Sequence, residues 1–262
     1  MNRPLIPAQR RERIREYLEV FQVVRSVDLC NTLGVSEATI RRDLEWLENE
    51  GVLERTHGGA IRSQWMRFEP EYAHRAQIHS EEKRRIGALA ATLIEDGDVV
   101  FINSGTTTTQ LISHICSDVD ATVITNNMSA ALEIGETGFE LILLGGSFQP
   151  RSNSVAGRFA IDNLNQVYAD KAFIGVDGIS LKYGCTMPAN AEAEVVHLML
   201  KRTCGPIVMV ADHSKWGVVS NFEVATLDQI RRLVTDDGLA PAARAELEAR
   251  SVEILIASAE LG

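Results

Sequence analysis

The chain lacks any cysteine pair that would staple it or hold a metal. Its four cysteines, Cys30, Cys116, Cys185 and Cys204, are far apart and make no C-x-x-C spacing. That argues against a zinc site and a disulfide framework, and it suits a reducing cytosol. A secretory signal is missing too, since the opening "MNRPLIPAQRRERIREYL" has no apolar core. No stretch approaches the roughly 20 apolar residues that a bilayer-spanning helix takes. These absences predict a soluble, cytoplasmic protein. Positive charge is also short: 26 Lys and Arg face 36 Asp and Glu, a formal net charge of −10.

That deficit is unevenly placed. Residues 1–62 carry ten basic and ten acidic side chains, so the whole of the net negative charge lies beyond them. Contact with a polyanion depends on the local field rather than on the sum. At 262 residues the chain has room for two domains of roughly 100–200 residues each.

The neutral segment reads as three helices and a hairpin. Ile14, Tyr17, Leu18 and Phe21 recur at helical spacing from about Pro7 to Val20. Ser26 is a candidate N-cap for a short helix, "VDLCNTL", which stops at Gly34. Ser36 is a candidate cap for a longer one, Glu37 to Glu50, ending at Gly51. Ile40, Leu44 and Leu47 fall on its buried face, while Thr39, Arg41 and Arg42 sit exposed in its first turns. A recognition helix meets base edges there; Arg pairs bidentately with guanine, and Thr meets a base edge or a thymine methyl. "VLERTHGGAIR" then predicts two strands around His57-Gly58-Gly59, a wing that offers Arg55, His57 and Arg62 to phosphates. Taken alone, Arg41 and Arg42 fit a solvated helix face paired with Glu45 equally well. The full set of short helix, Gly turn, Ser cap, Arg pair and Gly-Gly hairpin points to a winged helix-turn-helix that binds double-stranded DNA.

Residues 9–62 resemble the DeoR family of bacterial transcription regulators. Ser36, Thr39, Ile40, Arg41, Arg42, Asp43 and Leu44 stand where the family signature has its small, Thr, aliphatic, Arg, polar, Asp and apolar positions. Gly51 and "RTHGGA" match the continuation.

Residues 63–80 show no clear period and read as a linker, with Trp65, Phe68 and Tyr72 as docking aromatics. His57, His74 and His79 are too poorly spaced for a metal site, and neither metal nor cofactor is expected. Ser80 is a candidate cap for a helix with Ile86, Leu89 and Leu93 on one face. From about Asp96 the strand-like runs "DVVFI", "TVIT", "ELILL", "KAFIGV" and "PIVMVAD" alternate with helical stretches. The rhythm predicts an α/β domain over residues 81–262 with a largely parallel sheet. Ligands in such sheets sit beyond the carboxyl ends of strands. Ser104, Gly105, Thr106 and Thr107 follow the first run and open a helix, a suitable phosphate cradle. Asn126, Gly145, Gly146, Asp177 and Lys215 follow later runs. Each glycine also fits an ordinary tight turn, and Asp177 fits a capped or salt-bridged strand end. The residues beyond 240 suit a last helix and strand.

Residues 70–240 also resemble the DeoR-family effector domain, through Gly105-Thr106-Thr107, Thr125-Asn126, Gly145-Gly146, Gly157, Asp170 through Ile179, Gly184 to Pro188, Glu192-Ala193 and Asp212 to Lys215. The resemblance implies a fold similar to ribose-5-phosphate isomerase and CoA-transferase domains, and phosphorylated sugars or related metabolites as effectors. It implies a homo-oligomeric repressor of a carbohydrate operon. Asn103 and Met187 depart from the family's usual Asp and Thr. The competing expectation is a sugar-phosphate isomerase with Asp177 as base and Lys215 holding substrate; no partnering acid is evident in the sequence.

Overall fold

The computed structural model describes residues 5–21, 23–66, 70–135 and 137–259; Phe68 lies outside them. The head opens with α1 (Pro7–Phe21), β1 (Val23–Arg25), α2 (Ser26–Leu33) and α3 (Glu37–Asn49), then the wing strands β2 (Leu53–Thr56) and β3 (Gly59–Arg62). Ile14, Leu18, Leu29, Ile40, Leu44, Leu47 and Leu53 form its core. Gly34, at φ 65, and Gly51, at φ 72, end α2 and α3 where a left-handed residue is needed. β1 was not anticipated: it pairs antiparallel with β3, making the wing three-stranded in the order β1-β3-β2. Gly59 permits this pairing, since a Cβ there would collide with the Val24 carbonyl.

None of the three serines read as caps bonds a helix amide through its side chain, although Ser36 does hold the N-cap position of α3. Ser26 is the first residue of α2 and its amide donates to the Gly58 carbonyl at 2.8 Å. Ser36 precedes α3, but its hydroxyl bonds the Thr39 hydroxyl at 2.9 Å instead of a backbone amide. Ser80 begins its helix after His79, which takes a left-handed φ of 51.

The segment read as a linker carries structure. β4 (Gln64–Trp65) pairs in parallel with a later strand, and α4 (Tyr72–Gln77) leads into α5 (Ser80–Ala91). The Tyr72 hydroxyl bonds the Thr109 hydroxyl at 2.8 Å, which docks α4 on the larger domain.

The larger domain runs β5 (Val99–Ile102), α6 (Thr106–Ser113), β6 (Thr122–Thr125), α7 (Met128–Glu133), β7 (Glu140–Leu143), β8 (Ser147–Gln149), β9 (Ser154–Ala156), α8 (Arg158–Leu164) and β10 (Lys171–Ile174). It continues with β11 (Gly178–Ser180), β12 (Gly184–Met187), α9 (Asn190–Lys201), β13 (Ile207–Val210), β14 (Val218–Val219), β15 (Phe222–Ala225), β16 (Arg232–Asp236), α10 (Pro241–Glu248) and β17 (Glu253–Ala257). Seven strands form one sheet in the order β17-β16-β13-β10-β5-β6-β7, and every neighbouring pair is parallel. β11, β12 and β15 form a small antiparallel sheet beside it.

Each face of a parallel sheet needs cover. Ile86, Ala90, Leu111, Ile112 and Ala130 of α5, α6 and α7 pack one face; Ala160, Leu164, Val196, Met199 and Leu247 of α8, α9 and α10 pack the other. Ile61 of the wing belongs to that second cluster, so the head is seated on the larger domain. Gly217 allows the seating: at φ 80 its Cβ position points at the Arg62 carbonyl.

In the head, Asp43 is 1% exposed and is held by Arg10 and, at 3.1 Å, by Arg11. Removing one partner of a buried pair strands the other. Asp43→Ala is expected to destabilise the head by about 3–5 kcal/mol, mainly through buried Arg10. Urea denaturation of the full chain tests this; a midpoint equal to wild type contradicts it.

Candidate functional site

Two sites emerge, one on the head and one at the sheet. On α3, Ile40, Leu44 and Leu47 are buried, which turns Arg41 and Arg42 outward; both are exposed and make no ion pair among the described residues. Arg11 stacks over Trp46 with its guanidinium carbon 4.3 Å from the ring centroid, bracing the far end of the helix. Thr39 is half-buried beside Ser36.

The wing residues are placed differently. The Arg55 amide donates to Glu48 at 3.1 Å, and its guanidinium lies 3.9 Å from the same carboxylate. His57 is held by the sensor domain: its amide donates to Glu246 Oε1 at 2.8 Å and its ring Nδ1 lies 2.9 Å from the same oxygen. Burial works against the Glu246 carboxylate, but His57 and Arg250 outweigh it and hold its pKa below the usual range. Arg62 is half-buried in a groove with Arg15, Leu18 and Gly51.

The second site lies where the strand order reverses. β5 is followed on one side by β6 and on the other by β10, so the crevice beyond β5 and β10 is a topological switch point. A small cleft opens there. Ser104, Gly105, Thr106, Thr107 and Asp177 line it together with Lys215, as do Arg75, Met187 and Glu192. The amides of Thr106, Thr107 and Thr108 belong to the first turn of α6, ahead of the first intrahelical bond from Thr109 to Gly105. They present donors and the positive end of the helix dipole to the cleft.

The charges are opposed across the cleft. Arg75 Nη1 is 3.3 Å and Lys215 Nζ 4.0 Å from Asp177 Oδ1. Burial pushes the Glu192 carboxyl up, and the Ser152 hydroxyl that bonds it only partly offsets this. Two cations and a helix N-terminus suit a phosphate; two carboxylates suit hydroxyls. Lys83 sets Arg75 from below: its ammonium donates to the carbonyls of Arg75 at 2.6 Å and Ile78 at 2.7 Å, and burial pushes its pKa down to about 8.

Three expected residues stand outside the lining. Asn126 is buried behind the cradle, accepting from the Ser104 amide at 2.8 Å and donating to the Val155 carbonyl at 3.0 Å. Gly145 and Gly146 lie beyond β7, where Asn163 accepts from Gly145 at 3.3 Å. Asn103 is likewise spent within the scaffold, bridging the amide and carbonyl of Gly175 at 2.8 and 2.9 Å. An aspartate could not donate to that carbonyl. Arg75 and Glu192 were not named as site residues from the sequence: Arg75 sat in an aperiodic stretch, and Glu192 was visible only through the family pattern. Among the described residues no His, Cys, Asp and Glu group is gathered to hold a metal, and no helix is long and apolar enough to cross a membrane.

These features define a class: a winged helix-turn-helix head joined to an α/β ligand-sensing domain. The chain belongs to the DeoR family of DNA-binding transcriptional regulators. The DeoR-like helix-turn-helix domain matches residues 10–64, and the DeoR C terminal sensor domain matches residues 78–237. The HTH-type transcriptional regulator GlpR of Haloferax volcanii is 33% identical over 251 residues, covering 96% of this chain and 98% of that protein. The HTH-type transcriptional repressor GlcR of Bacillus subtilis is 35% identical over 250 residues, covering 95% of this chain and 96% of that protein. Both are named as regulators of transcription. Ribose 5-phosphate isomerase A of Methanocaldococcus jannaschii superposes with a TM-score of 0.38 at 15% identity, over 53% of this chain and 55% of that one. So slight a likeness carries no weight for the site.

Next to the cleft, His213 Nδ1 lies 2.7 Å from Asp236 Oδ2, and this hydrogen bond raises the His213 pKa above its ordinary 6.5. A raised histidine stabilises the fold below its unfolded value and loses that contribution as pH rises through the folded value. His213→Gln is therefore expected to melt furthest below wild type near about pH 5.5 and to close the gap by about pH 9. A gap that widens with pH in thermal melts would overturn this.

Proposed function

We propose that the protein represses a sugar or carbohydrate catabolic operon and is released from its operator by a phosphorylated sugar. The cleft at the switch point carries the reading. It joins the first-turn amides of α6, Lys215 and Arg75 on one side to Asp177 and Glu192 on the other. The phosphate seats at Ser104, Gly105, Thr106 and Thr107 with Lys215, and the sugar hydroxyls meet Asp177. Met187 makes one wall apolar, where family members commonly offer a hydroxyl. The name of the Bacillus subtilis relative, a repressor, supports the direction of control.

In this reading residues 1–62 are the DNA-binding head, 63–80 the joint and 81–262 the sensing and oligomerisation domain. Ser36, Thr39, Arg41 and Arg42 read the operator's major groove. Arg55, His57 and Arg62 serve the flanking backbone once the wing is turned to it. The protein works as a homo-oligomer, in which two heads must match two half-sites about 34–36 Å apart.

The geometry supplies a short link between the two sites. Asp177, in the cleft, leads directly into β11, and Ser180 at the end of β11 donates its hydroxyl to the buried wing carboxylate Glu54. A ligand that moves Asp177 moves the base of the wing. A coupling of about 1–3 kcal/mol changes operator affinity about 5–150-fold.

Two measurements test the assignment. Arg42→Ala is expected to cost about 1–3 kcal/mol on the specific operator and much less on random duplex. Equal losses on both, by fluorescence anisotropy, would rule out base reading. Thr106→Ala and Lys215→Ala are expected to abolish the thermal shift that the cognate phosphorylated sugar produces, about 2.7 kcal/mol at a hundredfold excess over Kd, while sparing DNA binding. A wild-type shift in both variants removes the cleft from the proposal.

A further inference from the structure

β7 is the free edge of the seven-stranded sheet, and it is built like an interior strand. Ile142 and Leu143 are 39% and 37% exposed although they point to opposite faces of the sheet. Helices on both faces extend the apolar surface past the edge. Leu132 of α7 is 75% exposed on one side, and Phe159 of α8 is 73% exposed on the other. The opposite edge, β17, is covered: apart from Glu253 at its start, none of its residues is exposed.

Natural edges are blunted by lysine, proline or a bulge. Within β7 the only charge is Glu140, at its first residue. The amides of Glu140 and Leu144 bond carbonyls beside β6, so by the two-residue period those of Leu141 and Leu143 face outward. Such a ladder takes another strand. Charge placement points to the same strand of a second copy. Glu140 opens β7, while Arg158, at the start of α8, stands near its far end, because Gly146 and Ser147 pack beside Ala160 and Gly157. An antiparallel two-fold pairing brings Glu140 of each copy to Arg158 of the other, as an isologous interface requires.

We propose that β7 pairs with β7 of a second copy, continuing the sheet across a two-fold axis, with Leu132 and Phe159 closing over the seam. The inference rests on the homo-oligomeric reading above and names its surface. The test is sedimentation velocity of the full chain. Leu143→Lys and, separately, Phe159→Lys are expected to run at half the wild-type mass with unchanged thermal melts. Phe159 is exposed enough that its substitution leaves folding intact. Val27→Lys, on an equally exposed apolar position of the head, is expected to keep the wild-type mass. Wild-type mass in both edge variants overturns β7 as the interface and leaves the oligomer standing. A monomeric wild type overturns the interface and the homo-oligomeric reading together. Dissociation by Val27→Lys as well would show that the effect is not specific to the edge, and defeats the proposal.

Discussion

The carboxylate of Glu54 is the contact on which the arrangement turns. It is 5% exposed, at the base of the wing, and no direct ion pair holds it among the described residues. The Ser180 hydroxyl and, at 2.8 Å, the Leu181 amide satisfy it instead. A buried carboxylate without such donors would cost several kcal/mol, so the wing and the β11 turn are mutually obligatory. With Ile61 packed in the sensor core, the head is fixed at its wing rather than tethered by a linker. The orientation of α3 is therefore set by the sensor domain.

A second tie joins the same partners from another direction. Asp212 caps the turn that ends at Lys215, and His213 between them donates its amide to Asp236 at 2.7 Å. Asp236 also accepts from Gly238, just ahead of α10, and Glu246 of α10 holds the wing tip. The cleft thus touches the wing at both its base and its tip through short hydrogen-bonded segments. A ligand shifts such a system only by its differential affinity for two placements of the wing. The opposed charges provide that difference. In the structure described here Asp177 lies against Arg75 and Lys215, and a phosphate would compete for both cations.

Much of this was legible in sequence, and the parts that were not share a cause. The recognition-helix face followed from the spacing of Ile40, Leu44 and Leu47, and six of the seven sheet strands from their aliphatic runs. Burial periodicity is a local property, so it reads well. β16 was missed, although its "RLVTD" is short and apolar at the centre, because it is flanked by charges. β1 was missed because three residues make a strand only when Gly59 lets them approach β3. The serine caps failed because a hydroxyl chooses the nearest donor or acceptor in space, as Ser36 does with Thr39. Asn126 looked like a ligand-facing amide, yet its two partners, Ser104 and Val155, come from distant segments. Arg75 carried no signal, since α4 gains its place only by docking on α6.

The charge asymmetry now has a structural meaning. The acidic body does not simply face away from the head; it presents Glu246 to the wing tip. A backbone amide and an imidazole that take a carboxylate are the groups that would take a phosphate. In the proposed reading, DNA must displace Glu246 from His57 before the wing tip can take a phosphate there. Base contacts then fall, in the same reading, to the exposed arginines of α3. In the proposed homo-oligomer strong operator binding follows when two heads act together, because the second contact is paid for at an effective concentration fixed by the spacing of the heads. In that reading control of the spacing is control of binding, and the spacing is held by the same sensor domain that encloses the cleft.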